Sequence, residues 1–382
     1  MTALLVTEIF PPRIGGSGRW FWELSRRMPR ADVVVAAGSC EGDAAFDRTH
    51  DVRVTRVPLT LRERGIFSPA AWLPYHRVAS RLRGLCRQAA VRQLYCARVV
   101  PEGWLALACR LPYGCFVHGD DLASSLTSRQ LTWMTKRVLR RAALVIANSR
   151  HSASLLEQGW DVDPARIAVL PPGVDTSRFA PRPPDEAARA ALGWLGRTVV
   201  LTVARLQRRK GHDVMIDAVA LLRGQFPTLL YAIVGDGEER AALEHRVQQA
   251  GLGEHVRFHG AIDDAQLLQA YQQCDLFALP NRTVDGDFEG FGMVLLEAQA
   301  CGRAVLAGNS GGTDEAVRAG ATGVMVDCAA PAAVASAVAE LLRDAALRAR
   351  MGEAGRRWMV EAFDFDRRTP RAAEVLARVR TR

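Results

Sequence analysis

Two carboxylates eight positions apart, Glu289 and Glu297, bracket the run EGFGMVLLE. Glycines stand beside the first, as a tight turn requires where backbone must close on a ligand. From Met293 onward the run reads as a helix. The first N–H groups of a helix have no intrahelical partner and carry the positive end of its dipole, so a pyrophosphate suits that end. Glu289 then faces a sugar from the loop, and Glu297, further along the helix, accepts hydrogen bonds from a ribose diol. The bland alternative is a surface carboxylate ahead of a buried helix. Spacing, glycines and a strand-to-helix context together favour chemistry.

A second constellation is ARLQRRKG, residues 204–211, directly after the apolar run TVVLTVA. Arg205 and Lys210 on a strand-end loop can clamp a diphosphate, and positive charge is what a departing nucleotide needs as negative charge builds on it. Of 50 basic residues only Lys136 and Lys210 are lysine, which marks Lys210 out. Arg208 and Arg209 read instead as a solvated basic loop.

Three further segments carry weaker signals. GGSGR opens a helix after the first strand, and the backbone of Gly15 and Gly16 suits a phosphate, although a plain strand–helix turn explains it as well. His118 in FVHGDD sits at a strand end beside Gly119 and two carboxylates, placed to hydrogen-bond a transferred sugar; a lone histidine is more often structural. Gly235 and Asp236 in VGDG, and Ile262 at the end of FHGAI, offer contacts to a nucleobase and ribose, although simple turn chemistry explains them as well. The other histidines, at 50, 76, 151, 212, 245, 255 and 259, show no metal-ligand spacing, so neither a metal nor a resident cofactor is expected.

These segments need elements to hold them. Apolar runs at 3–7, 32–36, 52–57, 114–117 and 144–147 alternate with helical patterns at 19–28, 72–89 and 126–141. The second half repeats the theme, with strands at 198–203, 229–234, 256–259, 276–279, 304–307 and 323–326. Its helices are expected at 212–222, 238–249, 264–273, 293–301 and 332–342. Such alternation predicts α/β domains with parallel sheets covered on both faces, whose ligands bind beyond the carboxyl ends of the strands. The Pro- and Ala-rich stretch PRPPDEAARAALGWLGR marks a boundary. We expect an N-terminal acceptor-binding domain at 1–175, a linker at 176–196 and a nucleotide-sugar-binding domain at 197–364. Beyond it, a helix at 365–382 packs back toward the first domain.

Composition sets outer limits. The 382 residues are 49% hydrophobic, enough for sizeable cores. No apolar run reaches the roughly 18 residues of a membrane span. MTALLVTEIF reads as a buried strand and not as a signal peptide, and eight scattered cysteines without a C-x-x-C read as reduced thiols. A cytoplasmic protein is expected. The net charge of +9 lies wholly in residues 1–175, with 24 basic and 15 acidic side chains, while residues 176–382 hold 26 of each. The first half can therefore meet an anionic partner. The absence of a compact basic-aromatic module argues against nucleic acid. Trp72, Tyr75 and His76, mixed with Arg77, Arg81, Arg83 and Arg87, form either a membrane-docking helix, peripheral on the inner face of the cell membrane, or a solvated basic one.

With these residues in hand, the chain resembles the retaining glycosyltransferases of the GT-B architecture, two facing Rossmann-like domains with an interdomain cleft, in glycosyltransferase family 4 (glycosyl transferases group 1). The resemblance runs through FPPRIGGSGRWFWEL, the HG pair at His118, ANSRHSASLL, VLPPGVDTSRFAP, VARLQRRKG, IVGDGEER, EGFGMVLLEA and GATGVMV. It implies that Arg205 and Lys210 bind the donor diphosphate and Glu297 the ribose. It further implies that Glu289 and the backbone of Phe291, Gly292 and Met293 contact the sugar, with Val294 by the phosphates. Gly16 would approach the diphosphate and His118 the sugar. The implied activity is metal-independent transfer of a mannose- or glucose-type hexose from a GDP- or UDP-sugar, with retention, to a lipid or saccharide hydroxyl. The opening also resembles mannosyltransferases acting on phosphatidylinositol mannosides. One departure is Leu267, which stands where some GDP-mannose users carry lysine, beside Asp263 and Asp264, and leaves the donor base open. Two competing readings are an epimerase of the same architecture, which would not need the paired glutamates with the Arg/Lys clamp, and a non-catalytic nucleotide-binding relative, which would be expected to lose Glu289, His118 or Lys210.

Overall fold

The computed structural model describes residues 2–13, 15–63 and 68–379. They form two units, one of residues 1–172 with 365–382 and one of residues 173–364. The last three positions of the helix expected at 365–382 lie outside the described residues.

The first unit holds a seven-stranded parallel sheet of β1 (Ala3–Thr7), β2 (Val33–Gly38), β3 (Val54–Val57), β4 (Gln93–Cys96), β5 (Tyr113–Val117), β6 (Leu144–Ala147) and β7 (Ile167–Val169), in the order β3-β2-β1-β4-β5-β6-β7. The second unit holds a six-stranded parallel sheet of β8 (Thr198–Val203), β9 (Leu229–Val234), β10 (Val256–Gly260), β11 (Leu276–Leu279), β12 (Val305–Gly308) and β13 (Gly323–Val326), in the order β10-β9-β8-β11-β12-β13. In each sheet the order reverses once, between β1 and β4 and between β8 and β11. Two loops diverge at such a reversal, and the gap between them is where open parallel sheets receive ligands.

The second sheet shows why these runs become strands. Successive side chains along a strand point to opposite faces. On β9, Leu229, Tyr231 and Ile233 enter one core, and Leu230, Ala232 and Val234 enter the other. On β11, Leu276 and Ala278 share the first core, and Phe277 and Leu279 the second. Both faces are dry, so the strands read as continuous apolar runs, as parallel strands covered by helices must. Burying one such side chain is worth about 1.5–3 kcal/mol.

Among the differences from the sequence expectation, two bear on how the sheets and units are laid out. Strands β4 and β7 were not expected; both are short, and β4 opens on the polar Gln93. Residues 176–196, expected as a linker, are packed into the second unit. Phe179 and Trp194 are fully buried, the Glu186–Ala191 helix is capped by Asp185, and the side-chain amides of Gln272 and Gln273 donate to the carbonyls of Ala180 (2.9 Å) and Pro183 (3.3 Å). Proline there fixes an extended path across the unit's surface; it does not free the chain from it.

Candidate functional site

The loop leaving β8 is pinned at its middle by Leu206, which is buried and whose N–H donates to the Asp236 carbonyl (3.0 Å). Beyond it Arg208–Lys210 make one 3₁₀ turn, and Gly211 starts the His212–Leu222 helix. Gly211 has φ +74°, and a Cβ there would lie 1.8 Å from the Pro280 carbonyl oxygen. Only glycine fits this close approach of the loop after β8 to the loop after β11, at the point where strand order reverses.

That contact brings Lys210 to Glu289. The ammonium donates to Glu289 Oε2, and the Arg209 guanidinium donates to the same oxygen at 3.0 Å while its Nε lies 3.0 Å from the Asp287 carboxylate. Glu289 is 8% exposed. Burial alone would raise its carboxyl, but the charges of Lys210 and Arg209 outweigh that and hold it below the usual range. Its backbone carbonyl accepts from the Gly312 N–H (3.0 Å). Arg205 is exposed and its guanidinium makes no ion pair among the described residues. The arrangement can lend Lys210 to an arriving anion while Glu289 keeps a second cation in Arg209.

Four residues after Glu289 the Met293–Ala300 helix begins. Gly292 precedes it at φ +88°, and no side chain caps it. Phe291 is buried in the core, so it can face a ligand with its backbone alone. Met293 and Val294 are half-buried. Glu297 is 8% exposed and accepts a hydrogen bond from the hydroxyl of Tyr271 (2.7 Å), which fixes its carboxylate from below. Gly235 follows β9, with Asp236 exposed beside it and its carboxylate on the Gly237 N–H (2.8 Å). Ile262 and Leu267 both pack against the core, and Asp263 caps the Asp264–Gln273 helix through a capping box.

The first unit arranges its own candidates. Gly15 is half-buried and Gly16 exposed, where the Gly16–Arg27 helix opens without a side-chain cap. Trp20 and Phe21 of that helix are buried and meet the His118 ring edge-on, at 5.8 and 6.0 Å between centroids. His118 Nε2 donates to the Ala97 carbonyl (2.8 Å). Asp121 Oδ1 accepts from the N–H groups of His118, Gly119 and Leu122 at 3.0–3.2 Å and fixes the turn after β5. The helix opened by the glycines therefore positions His118.

Residues 14–178 match the Glycosyltransferase Family 4 model and residues 185–358 the Glycosyl transferases group 1 model. A GDP-mannose-dependent alpha-(1-6)-phosphatidylinositol monomannoside mannosyltransferase of Mycolicibacterium smegmatis is 35% identical, over 98% of each chain. The protein of that name from Mycobacterium tuberculosis is 34% identical over 98% of this chain and 97% of its own. This chain belongs to the glycosyl transferases group 1 family. Among solved structures, Anabaena HepE in complex with UDP-glucose superposes with a TM-score of 0.82 at 22% identity, covering 99% of this chain and 100% of its own. WaaG, a glycosyltransferase involved in lipopolysaccharide biosynthesis, does so at 0.73 and 19%, covering 98% and 99%. The glycosyltransferase thus has the GT-B fold of these neighbours.

Four residues of this glycosyltransferase's second unit were not assigned to the site from the sequence. Arg209, expected as a solvated loop residue, is 12% exposed and bound to Glu289 and Asp287, whereas its neighbour Arg208 is 64% exposed. Asp287 and Tyr271 lie outside any motif. His212, set aside because it has no metal-ligand spacing, donates from Nε2 to the Arg205 carbonyl (3.4 Å) and holds the cationic loop; the RRKGH sequence was the available signal. No helix among the described residues is long and apolar enough to cross a membrane.

Proposed function

We propose that the enzyme transfers mannose, with retention and without a metal ion, from GDP-mannose to a hydroxyl of a lipid or saccharide acceptor. The observation that carries this is the buried Glu289 carboxylate held by Lys210 and Arg209 at the β8/β11 reversal, ahead of an uncapped helix. In this reading Arg205, Lys210 and the first N–H groups of the Met293–Ala300 helix receive the diphosphate, Glu297 the ribose, and Glu289 the hexose. The bond between the anomeric carbon and the diphosphate oxygen breaks, and its electron pair leaves with the nucleotide. Cations aimed at that oxygen stabilise the charge where it develops, which takes over the task a magnesium ion performs elsewhere. The acceptor oxygen bonds the same face of the oxocarbenium-like carbon and passes its proton to a donor phosphate oxygen. The names of the relatives favour guanine and mannose over the uracil alternative.

The reading puts the enzyme in the cytoplasm, peripheral to the inner face of the membrane. Support comes from the Pro69–Gln88 helix, which leaves Trp72 (54%) and Leu73 (46%) exposed near its start and Arg77, Arg81 and Arg87 exposed along it. The deciding experiment incubates purified protein with GDP-mannose or UDP-glucose and candidate acceptors, reads products by mass spectrometry and assigns the new linkage by NMR. Release of GDP with a product of the donor's own anomeric configuration is expected, unchanged in chelator. An inverted product, or turnover of the uridine donor alone, overturns it.

A further inference from the structure

Glu289 sits on residues 280–292, a loop whose regular structure among the described residues is a single Val284–Asp287 bridge. Such a residue takes its position from what surrounds it. Its carboxylate meets Lys210 and Arg209 from the loop after β8. Its peptide meets the loop after β12. The Glu289 carbonyl accepts from the Gly312 N–H (3.0 Å), and a Cβ on Gly311 would lie 1.9 Å from the same oxygen. Backbone rests on backbone there, and a close-packed interior transmits displacement, so a shift of the β12 loop moves Glu289 with it.

That loop is clasped by Asn281, two residues past β11 and fully buried. Asn281 Oδ1 accepts from the Gly308 N–H (3.1 Å), and Nδ2 donates to the Ser310 carbonyl (3.2 Å). The partners settle which end of the amide is which, since a backbone N–H only donates and a carbonyl only accepts. The hydroxyl of Thr313, also fully buried, lies 2.7 Å from the Gly308 carbonyl and 2.9 Å from the Ser310 carbonyl and donates between them. The Thr283 and Ser310 hydroxyls add a link at 2.9 Å.

An amide out of water is costly unless both its ends are paired. Here both ends are spent on the segment that carries Glu289's own backbone contact. No part of Asn281 reaches the surface, so it cannot touch a ligand itself. We infer that Asn281 is a positioning residue for Glu289, setting the carboxylate through the loop after β12. The inference rests on the transferase reading above, to which it adds the part of the fold that aims the sugar-facing group.

Asn281→Ala and Thr313→Val cut the clasp at two points, while Thr313→Ser keeps the hydroxyl. Steady-state kinetics with GDP-mannose, run well below each variant's melting temperature, and calorimetric titration with GDP test the inference. Misplacing a reacting group by about 1 Å can cost about a hundredfold, so kcat should fall by about that factor in Asn281→Ala and about tenfold in Thr313→Val. The donor KM and the Kd for GDP should stay within about threefold of wild type, because the nucleotide contacts lie on other elements. Thr313→Ser should restore kcat. In a Glu289→Gln background Asn281→Ala should lower kcat by at most about twofold more, since residues that act as a unit are not additive. Wild-type kcat in a folded Asn281→Ala overturns the inference, as does a loss confined to KM and GDP affinity, or a full loss on top of Glu289→Gln. If Asn281→Ala does not fold, Thr313→Val decides by the same three criteria. A wild-type protein that binds neither GDP nor UDP and turns over no donor overturns the transferase reading itself, and this inference with it.

Discussion

Glu289 is a carboxylate almost out of water, and such a group stays charged only when paired. Two cations share its Oε2, Lys210 and Arg209, and they are not equivalent. Arg209 is tied as well to Asp287, so it holds Glu289 in place, while Lys210 is the cation that can shift toward a donor phosphate. Removing a group that stabilises developing charge costs about 10²–10³ in turnover, which we expect for Lys210→Ala. Arg209→Ala should cost about tenfold, by loosening Glu289 without taking away the phosphate contact. Removing both strands a buried charge, at about 3–5 kcal/mol, so the double variant should melt well below either single one. Steady-state kinetics and calorimetry on the three variants check this, and wild-type kinetics in Arg209→Ala would return that residue to solvent. Sequence made part of this site legible. Lys210 stood out as a rare lysine and Glu289 by its glycines. Arg209 did not, because Arg208 and Arg209 are identical in type and only the 3₁₀ turn decides which faces inward. Tyr271, which holds Glu297, lies in an ordinary amphipathic helix and leaves no local mark.

At the scale of elements, the parallel strands were legible wherever both faces are dry, since a two-sided core demands a continuous apolar run. All six strands of the second sheet and three of the first therefore lie within a residue of expectation. Strand β4 escaped because Gln93 interrupts the run, although its position between β1 and β5 is central. The packing of residues 176–196 escaped because proline signals an extended chain and says nothing of what that chain lies against. The loops after β8 and β11 meet where the Arg282 N–H donates to the Arg209 carbonyl (2.8 Å) and where the backbone closes on Gly211. An alanine there would need a left-handed conformation, costing about 1–2 kcal/mol, and its Cβ would meet the Pro280 carbonyl. Since backbone cannot step aside as a flexible side chain can, we expect Gly211→Ala to lose at least 2 kcal/mol in denaturant melts. It should also lose affinity for GDP, because the shift separates Lys210 from Glu289. Gly224, where a Cβ meets open space, supplies the control: Gly224→Ala should match the wild type in both measurements. Retained GDP affinity in Gly211→Ala would show that the two loops do not need this contact.

Across the whole molecule, charge is divided as sharply as fold. The second half is neutral, and the surplus of +9 lies in residues 1–175, almost all as arginine. On the Pro69–Gln88 helix the apolar residues Ala71, Tyr75, Val78, Ala79, Leu82 and Cys86 are buried in the first unit's core. Arg77, Arg81 and Arg87 are exposed, and Arg83 is half-buried. A solvated helix needs arginines to stay soluble but has no use for an exposed Trp72 and Leu73 on it; a lipid interface uses both, the cations at the headgroups and the aromatic ring beneath them. Each basic residue near an anionic surface adds about 1 kcal/mol, so the three exposed arginines amount to about a hundredfold in partitioning. We expect the protein to float with vesicles rich in anionic lipid at low salt. It should be released as salt rises, because the Debye length falls from about 10 Å at 0.1 M to about 3 Å at 1 M. The Arg77, Arg81, Arg83 and Arg87 quadruple alanine variant should bind roughly a hundredfold more weakly. Trp72→Ala should lower binding without changing its salt slope, since the ring contributes no charge. Unchanged flotation of the quadruple variant would assign these arginines to water, and the source of any remaining membrane affinity would then have to lie elsewhere in the first unit.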